Sequence, residues 1–179
     1  LHVGRFERGK GIETLIETFI QLAKKYSDLF LTCVGNPRGP SLEKCKNKLL
    51  KEGLNERVVF TGFITYNELP LHYSQCDLVV VPSEIYESFS YTVAQGLACG
   101  KPVIASNIGG IPETVNYGKA GILFDPGNIE DLTEKIEYLY HNIHKRKNIA
   151  RKAREHVVEN YSIEVLGPRY QSFYQSLIR

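Results

Sequence analysis

Apolar residues follow two alternating patterns along the chain: short continuous runs, and longer stretches in which they recur every three or four positions. The continuous runs are typical of strands buried in a parallel sheet, and the helical spacing is typical of amphipathic helices. The runs predict strands at residues 2–4, 29–35, 57–62, 77–82, 102–106 and 120–124. The spaced stretches predict helices at residues 11–26, 41–52, 66–74, 90–99, 128–142, 145–159 and 161–178, the last interrupted near Gly167–Pro168.

This alternation of strands and helices predicts an α/β fold, a doubly wound, Rossmann-like parallel sheet of about six strands with helices on both faces. In such a fold, ligands bind at the carboxyl ends of the strands, where the strand order reverses. We therefore expect the functional residues in the segments that follow strands, which are residues 4–11, 35–40, 62–65, 83–92 and 106–113.

Composition and charge narrow the class of protein. The 179 residues are 42% hydrophobic and 23% charged, which is ordinary for a globular domain and excludes a disordered tail, a collagen-like fibre and a coiled coil. The longest strongly apolar run, Leu78–Pro82, is far shorter than the roughly 20 residues that span a bilayer. A net charge of +2 gives no case for nucleic acid as a partner.

The cysteines indicate a cellular compartment, the spacing of the histidines bears on a metal site, and the first residues indicate whether the chain is a piece of a longer protein. Cys33, Cys45, Cys76 and Cys99 form no C-x-x-C motif, so we expect reduced, mostly buried thiols in a cytosolic compartment. The five histidines do not cluster with acidic residues or cysteines at ligand spacing, and no metal site is predicted. The chain starts with Leu1 inside a predicted strand and shows no signal peptide, so we expect it to be a piece of a longer protein.

The first strand–loop–helix segment carries a candidate phosphate loop. Gly4-x-x-x-x-Gly9-Lys10 matches most of a Walker A motif, but Gly11 stands where that motif has the Ser or Thr that binds magnesium. The dinucleotide fingerprint also fails, because Thr14 occupies the position of its third glycine. Neither a P-loop nor a dinucleotide loop is therefore predicted.

What remains in this segment is a concentration of positive charge, Arg5, Arg8 and Lys10, at the start of a helix. The free N–H groups and the dipole of a helix N-terminus favour a bound phosphate. On its own, the segment fits two interpretations equally well, an anion site and a solvated basic loop.

The loop before the helix at residues 90–99 is the second candidate. Ser90 to Val93 open this helix, and Gln95 lies eight positions after Glu87, about two helical turns along. A carboxylate and an amide can then bind two hydroxyl-bearing parts of one ligand, with backbone N–H groups between them holding a phosphate. This layout suits a sugar joined by a diphosphate to a nucleoside. The alternative makes Glu87 an exposed loop acid and Ser90 a helix cap.

Five segments occur in this order along the chain: VGRFERGKGIETLIETF, VVFTGF, CDLVVVPSEIYESFSYTVAQGLACGKPVIAS, GGIPETV and GILFDPGNIEDLTEKI. Taken in order, they resemble the retaining glycosyltransferases of the large family 4, from residue 1 to about residue 161. The resemblance implies the C-terminal, donor-binding domain of the two-domain GT-B fold at residues 1–161. A helix over residues 162–179 is then expected to pack back toward an N-terminal domain.

The resemblance assigns roles position by position. Arg5 and Lys10 match the basic pair that contacts the donor diphosphate and stabilises the charge on the leaving group. Glu87 matches the first glutamate of the family's E-x7-E motif, which holds hydroxyls of the donor sugar. These three are the expected catalytic residues. The expected donor-binding residues are Gly62, Phe63 and Leu69 around the base and ribose, Phe89 and Ser90 at the sugar, Thr92 and Val93 with their amides at the phosphates, and Gln95 at the ribose.

Two positions depart from the family's pattern. Gln95 stands in place of the second glutamate, so it keeps an acceptor but loses the charge-assisted hydrogen bond, which is roughly twice as strong as a neutral one. Ser90 stands in place of a glycine and adds a Cβ beside the sugar pocket. These differences predict weaker or altered nucleotide recognition and leave the basic pair intact. Glu113, after Gly109–Gly110, fits equally a wall of the site, a helix cap and a structural ion pair.

The resemblance implies that the whole protein transfers a sugar from a nucleotide-diphospho-sugar to an acceptor hydroxyl, with the anomeric configuration kept and without a metal. The acceptor, a glycan, a lipid-linked sugar or a small molecule, would bind mainly to the absent N-terminal domain, so the fragment alone is expected to be inactive. Two alternatives stay open: a GT-B sugar-nucleotide epimerase, and a non-catalytic nucleotide-sugar-binding or scaffolding module.

Two further surfaces bear on partners and location. The basic stretch at residues 145–154 fits a solvated helix face or, as an alternative, a contact with the cytosolic face of an anionic membrane. The protein is expected to be cytoplasmic. One face of the last helix is expected to be partly exposed and to favour self-association. Its members are Leu166, Tyr170, Phe173, Tyr174 and Leu177.

Overall fold

The computed structural model of the chain describes residues 1–36 and 40–178. Part of the predicted functional segment at residues 35–40 therefore falls outside the described residues. The strands are β1 (His2–Val3), β2 (Leu31–Val34), β3 (Val58–Gly62), β4 (Val79–Val81), β5 (Val103–Ser106) and β6 (Ile122–Phe124). The helices are α1 (Ile12–Lys25), α2 (Pro40–Lys51), α3 (Leu69–Gln75), α4 (Tyr91–Ala98), α5 (Ile111–Thr114), α6 (Ile129–His141), α7 (Ile143–Tyr161) and α8 (Ile163–Leu177), with a 3₁₀ turn at Asn55–Arg57.

The strands form two parallel, three-stranded sheets that meet edge to edge. One has the order β1-β2-β3 and the other β4-β5-β6. Leu1 joins them, because its carbonyl accepts a hydrogen bond from the Val80 N–H at 2.9 Å and its amino group donates to the Leu78 carbonyl at 2.9 Å. The strand order across both sheets is thus 3-2-1-4-5-6, and it reverses between β1 and β4. The predicted doubly wound parallel fold is confirmed.

Alternating residues of the central strands feed two hydrophobic cores, one on each face. Val80 and Ile104 pack into a cluster with the buried sides of α1, α2 and α6. Their neighbours Val79, Val81 and Val103 pack into a second cluster with residues of α4, α5 and α7. Burial on both faces explains why these strands have continuous apolar sequences.

The loop between β1 and α1 lies directly against the end of β4. Gly11, which precedes α1, has a φ of 70°. A Cβ at this position would lie only 1.6 Å from the carbonyl oxygen of Pro82, so glycine is required by both the backbone conformation and the close approach. This contact brings Lys10 to the loop that follows β4.

Helix α4 packs closely on the sheet and carries its first turn to the same place. A Cβ on Gly96 would lie 3.0 Å from a methyl of Val103, so the small residue lets the helix approach β5. At the other end, the Thr92 hydroxyl donates a hydrogen bond to the Val3 carbonyl at 3.2 Å. The start of α4 therefore lies at the carboxyl end of β1.

The structure corrects the prediction for the C-terminal helices. No interruption occurs at Gly167–Pro168, because α8 runs through both residues. The boundary between α7 and α8 lies at Ser162, within two residues of the boundary predicted between residues 159 and 161. Pro168 is in the second turn of α8, where its missing N–H removes one hydrogen bond, while α8 keeps its contact with α7. Helix α5 was not predicted, because its single turn is too short to show a helical period.

The four cysteine thiols differ in how deeply they are buried. All four cysteines are free. Cys33 and Cys45 are buried, whereas Cys76 and Cys99 are partly exposed, so the expected burial of the thiols is confirmed only for Cys33 and Cys45. Burial raises the pKa of the Cys33 thiol to about 12, which keeps it protonated at neutral pH. Within residues 1–36 and 40–178, no helix combines the length and the apolar character needed to cross a membrane.

Candidate functional site

A pocket of about 430 Å³ opens at the carboxyl ends of β1 and β4, the point where the strand order reverses. Three chain segments form its wall: the end of β1 with the loop that follows, the loop after β4, and the first turn of α4. This is the place where doubly wound folds bind ligands. The residues that line it are 2–5, Lys10, Val81, Ser83 and 86–92.

Lys10 and Glu87 form an ion pair inside this pocket. The Lys10 Nζ lies 2.8 Å from Glu87 Oε1, and the two side chains are only 20% and 16% exposed. Ser83 supports the same carboxylate oxygen, since its hydroxyl donates to Glu87 Oε1 at 2.6 Å. Burial raises the pKa of the Glu87 carboxyl, but the hydrogen bonds from Lys10 and Ser83 outweigh it, so this pKa lies below its ordinary value. Glu87 is therefore ionised at neutral pH.

The other two basic residues of the first loop differ in position. Arg5 lines the pocket, and its exposed guanidinium contacts the Glu7 carboxylate at 3.2 Å. Arg8 is exposed and does not line the pocket. The pocket thus receives positive charge from Arg5 and Lys10, and part of it is neutralised by Glu87.

The first turn of α4 presents unsatisfied backbone N–H groups to the pocket. Ser90 precedes the helix with an extended backbone, and its side chain makes no capping hydrogen bond to the helix amides. The first three amides, those of Tyr91, Thr92 and Val93, have no partner one turn back within the helix, whereas the Ala94 N–H donates to the Ser90 carbonyl at 3.0 Å. The side chain of Val93 is fully buried in the core, so only its backbone can meet a ligand.

Besides Val93, four of the predicted donor-binding residues do not line this pocket. Gly62 ends β3, Phe63 follows it and is 78% exposed, and Leu69 is partly buried against the second core cluster. Gln95 is one turn along α4, where its side-chain oxygen accepts a hydrogen bond from the Tyr73 hydroxyl at 3.1 Å. Their predicted contact with a nucleoside stays a prediction.

Six of the eleven predicted site residues line the pocket: Arg5, Lys10, Glu87, Phe89, Ser90 and Thr92. The five that do not are Gly62, Phe63, Leu69, Gln95 and Val93, the last of which adjoins it only through its backbone. The structure thus brings the expected catalytic residues together, and the roles of all eleven stay predictions.

Sequence reasoning did not single out several residues that belong to the site. Ser83 holds the Glu87 carboxylate, and Tyr86 and Tyr91 stand at the pocket with 85% and 75% of their side chains exposed. His2 also lines the pocket, although its ring is buried and its Nε2 has no hydrogen-bond partner. Ser83 and the two tyrosines lie in a segment that was expected to be functional, but no motif distinguished them from their neighbours.

An anion in this site would meet two cationic side chains and free helix amides. Next to them lies an ionised carboxylate, which can accept hydrogen bonds from hydroxyls. Within the described part of the chain, no group of three or more His, Cys, Asp or Glu side chains is placed to hold a metal ion. The side chain of Glu113 is exposed and does not line the pocket, so the structure does not place it in the wall of the site.

Comparison with known proteins identifies the family. The family model described as "Glycosyl transferases group 1" matches residues 1–156. The alpha-D-kanosaminyltransferase of Streptomyces kanamyceticus is 28% identical over 178 residues, which are 99% of this chain and 45% of that protein. The chain spans less than half of the length of this relative, of the sulfoquinovosyl transferase SQD2 of Arabidopsis thaliana and of the N-acetyl-alpha-D-glucosaminyl L-malate synthase of Bacillus anthracis.

Solved structures show the same similarity in three dimensions. Anabaena Alr3699/HepE, solved in complex with UDP-glucose, aligns with a TM-score of 0.88 and 26% identity over 98% of this chain and 48% of that one. The C-terminal domain of the group 1 protein LpcC from Francisella tularensis aligns with a TM-score of 0.81 and 29% identity over 90% of this chain and 85% of that one. The chain belongs to the group 1 family of glycosyl transferases.

Proposed function

We propose that this chain is the donor-binding domain of a retaining family 4 glycosyltransferase and that its pocket binds a nucleotide-diphospho-sugar. The observation that carries the proposal is the 2.8 Å contact between Lys10 and Glu87 in the pocket where the strand order reverses. It brings a cation suited to a diphosphate and a carboxylate suited to sugar hydroxyls within reach of one ligand. Two relatives support it, a kanosaminyltransferase and a protein solved in complex with UDP-glucose.

The diphosphate would lie between the first loop and the start of α4. Arg5 and Lys10 approach it from one side, and the free amides of α4 approach it from the other. Negative charge grows on the diphosphate as the bond to the sugar breaks. Fixed cations and amides stabilise that charge more in the transition state than in the ground state, which is the condition for faster chemistry. Transfer without a metal remains part of the proposal.

Lys10 can serve the carboxylate and the diphosphate together. Its ammonium has three N–H donors, and Glu87 uses one of them in the structure. Lys10 and Ser83 both bond to Oε1 of Glu87, and the Ser90 side chain also hydrogen-bonds this carboxylate. A carboxylate has about four acceptor sites, so Glu87 keeps capacity for a hydroxyl of the donor sugar. The ion pair therefore orients the carboxylate without blocking it.

The acceptor is proposed to bind mainly to an N-terminal domain of the whole protein, so residues 1–179 alone should transfer little sugar. The acceptor class, a glycan, a lipid-linked sugar or a small molecule, follows from the resemblance and not from the pocket. Departure of the diphosphate and attack from the same face of the sugar would keep the anomeric configuration. A cytoplasmic location, with membrane contact as an alternative for residues 145–154, belongs to the same proposal.

A binding screen tests the proposal. Calorimetry of the chain with UDP-, GDP- and ADP-sugars, and with the matching diphosphates, should find at least one donor that binds. Product analysis with the full-length protein should then show transfer to an acceptor with retention, read from the anomeric coupling in the NMR spectrum. Failure of all donors and diphosphates would contradict the proposal, and an inverted product would contradict the retaining mechanism.

One observation favours a second candidate, a non-catalytic nucleotide-sugar-binding module. The Tyr73 hydroxyl already donates to the Gln95 oxygen at 3.1 Å, which uses one of the two lone pairs of that oxygen. Gln95 therefore has less capacity to bind ribose hydroxyls than the glutamate of the family's pattern. Donor binding without turnover by the full-length protein would select this candidate.

A further inference from the structure

The carboxylate of Glu87 is carried by an irregular segment, residues 82–89, which we name the Glu87 loop. Two other loops hold its backbone. On one side, the Glu84 N–H donates to the Gly9 carbonyl at 2.7 Å. On the other, the Gly110 N–H donates to the Glu87 carbonyl at 2.7 Å. The loop is thus fixed from the segment after β1 and from the segment after β5.

The contact from the β5 side is possible only with glycine. A Cβ on Gly109 would lie 2.5 Å from the Glu87 carbonyl oxygen, and a Cβ on Gly110 would lie 2.2 Å from the Ser88 carbonyl oxygen. Both obstacles are backbone atoms, which cannot rotate away as the end of a side chain does. Gly110 has a φ of −85°, which any residue adopts, so close approach alone requires glycine there.

The position of this backbone determines what the Glu87 side chain can reach. Its oxygen accepts hydrogen bonds of 2.8 Å from Lys10 and 2.6 Å from Ser83, and a shift of about 1 Å in the backbone would break both. Glu113, the acid in the same G-G-x-x-E segment, is exposed and outside the pocket. The glycines of this segment, and not its acid, therefore connect it to the site.

We propose that Gly109 and Gly110 are positioning residues that hold the Glu87 carboxylate against Lys10 and Ser83, in the orientation that binds the donor sugar. The last clause rests on the proposed function, whereas the placement of the carboxylate does not. Gly110 is the cleaner of the two to test, because its substitution adds a steric clash without changing the allowed backbone conformation.

The first experiment needs no ligand. The Glu87 carboxyl is titrated by ¹³C NMR in the unsubstituted chain, in Gly110→Ala and in the matched control Gly167→Ala, whose added Cβ would meet nothing within 4 Å. Glu87→Gln assigns the resonance. The pKa of Glu87 should lie below its ordinary value in the unsubstituted chain and in the control, and should rise toward the ordinary range in Gly110→Ala, where the bonds from Lys10 and Ser83 are lost. An unchanged pKa in a folded Gly110→Ala chain would overturn the proposal.

The second experiment measures the link to the donor with UDP-glucose as the probe. Glu87→Gln should weaken binding about tenfold in the unsubstituted chain and less than about twofold in the Gly110→Ala background, because the carboxylate is already misplaced there. An equal effect in both backgrounds would overturn the inference. If UDP-glucose does not bind the unsubstituted chain, the proposed function fails for that donor, and the carboxyl titration still decides the placement of Glu87.

If Gly110→Ala does not fold, a measurement on the unsubstituted chain still tests the proposal. The Gly110 amide should exchange slowly with deuterium, because its N–H is donated to the Glu87 carbonyl. Exchange at the rate of a free amide would show that the two segments are not held together and would overturn the proposal.

Discussion

At the scale of single residues, the surroundings of Lys10 connect the structure to the proposed chemistry. Lys10 comes from the loop after β1, and its partner Glu87 comes from the loop after β4, 77 positions along the chain. Their ion pair is largely shielded from solvent, so it is stronger than an exposed pair of the same length. A diphosphate that enters the pocket meets an ammonium already held in place.

Replacement of Lys10 by alanine tests its role in binding. Lys10→Ala should weaken the binding of the nucleoside diphosphate selected by the screen by about 1.5–3 kcal/mol, because a charged hydrogen bond is lost. Calorimetry measures the change. The matched control is Lys24→Ala, which also removes a lysine paired with a glutamate, Glu52 at 2.7 Å, but on an exposed surface. A loss within the assay error for Lys10→Ala would remove Lys10 from the site.

The buried imidazole of His2 makes stability depend on pH. Its Nδ1 donates to the Val80 carbonyl at 3.2 Å, since a carbonyl oxygen can only accept, and burial lowers the pKa of His2 to about 4 from an ordinary value of 6.5. The unfolded chain binds the proton more tightly, so stability falls as the pH falls through the window between these values. The loss from pH 7.5 to pH 5 should be about 2 kcal/mol.

His2→Phe checks this expectation, because phenylalanine fills the same space and does not titrate. Urea unfolding at pH 7.5 and pH 5 should show the unsubstituted chain losing about 2 kcal/mol more than His2→Phe. The other titrating groups are common to both proteins and cancel in the comparison. Equal losses in the two proteins would contradict a neutral, buried His2.

Single residues also show where sequence reasoning ends. Lys10 and Glu87 could be singled out because each follows a predicted strand, and strand ends of a doubly wound sheet converge. The hydrogen bond from Ser83 could not be predicted, because it depends on the irregular path of the Glu87 loop, and the one from Gly110 could not, because it depends on how two separate loops approach each other. The same holds for Gln95, whose hydrogen bond from Tyr73 joins two helices at residues 22 positions apart in the chain.

At the scale of elements, helix α4 depends on its close contact with the sheet. A Cβ on Gly96 would already lie 3.0 Å from a methyl of Val103 and 3.4 Å from a methyl of Val79. Gly96→Val should therefore destabilise the chain by about 1–3 kcal/mol through overpacking, measured by chemical unfolding. The control Gly167→Ala, in α8 with open space around it, should be neutral or slightly stabilising. Equal stability of Gly96→Val and the unsubstituted chain would contradict the packing of α4.

The elements themselves were largely predictable, for a physical reason. The central strands are buried on both faces, which leaves a continuous apolar signal, and the longer helices each bury one face, which leaves a period of 3.6 residues. Helix α5 leaves no such signal in four residues. The boundary between the last two helices was predicted within two residues of Ser162, whereas the predicted interruption near Gly167–Pro168 was wrong, because a proline is a weaker guide than tertiary contact and α8 continues through Pro168.

At the scale of the whole molecule, helix α8 leaves an apolar surface without a partner in the described part of the chain. Tyr170, Phe173, Tyr174 and Leu177 are all more than half exposed. The expected exposure of this face is therefore confirmed, whereas its packing against an N-terminal domain stays a prediction. The strand order 3-2-1-4-5-6 could not be read from the sequence, although the doubly wound class could, because pairing between distant strands leaves no local pattern.

Self-association through this face is open to a direct check. The chain should form dimers or larger species at high concentration, and Phe173→Glu should shift it toward the monomer, since a charge opposes burial of the face. Sedimentation velocity measures the distribution. The control is Leu50→Glu, which places the same charge at an exposed leucine of α2. A monomeric unsubstituted chain, or an equal effect of both substitutions, would contradict the expectation.

The central claim is that one diphosphate contacts both the loop after β1 and the start of α4. Amide chemical-shift mapping of the chain, titrated in turn with UDP, GDP and ADP, tests it most directly. With at least one of the three, residues 4–11 and residues 87–93 should shift together and saturate at the same ligand concentration. Shifts confined to one of the two segments, or to neither with all three ligands, would contradict a shared diphosphate site.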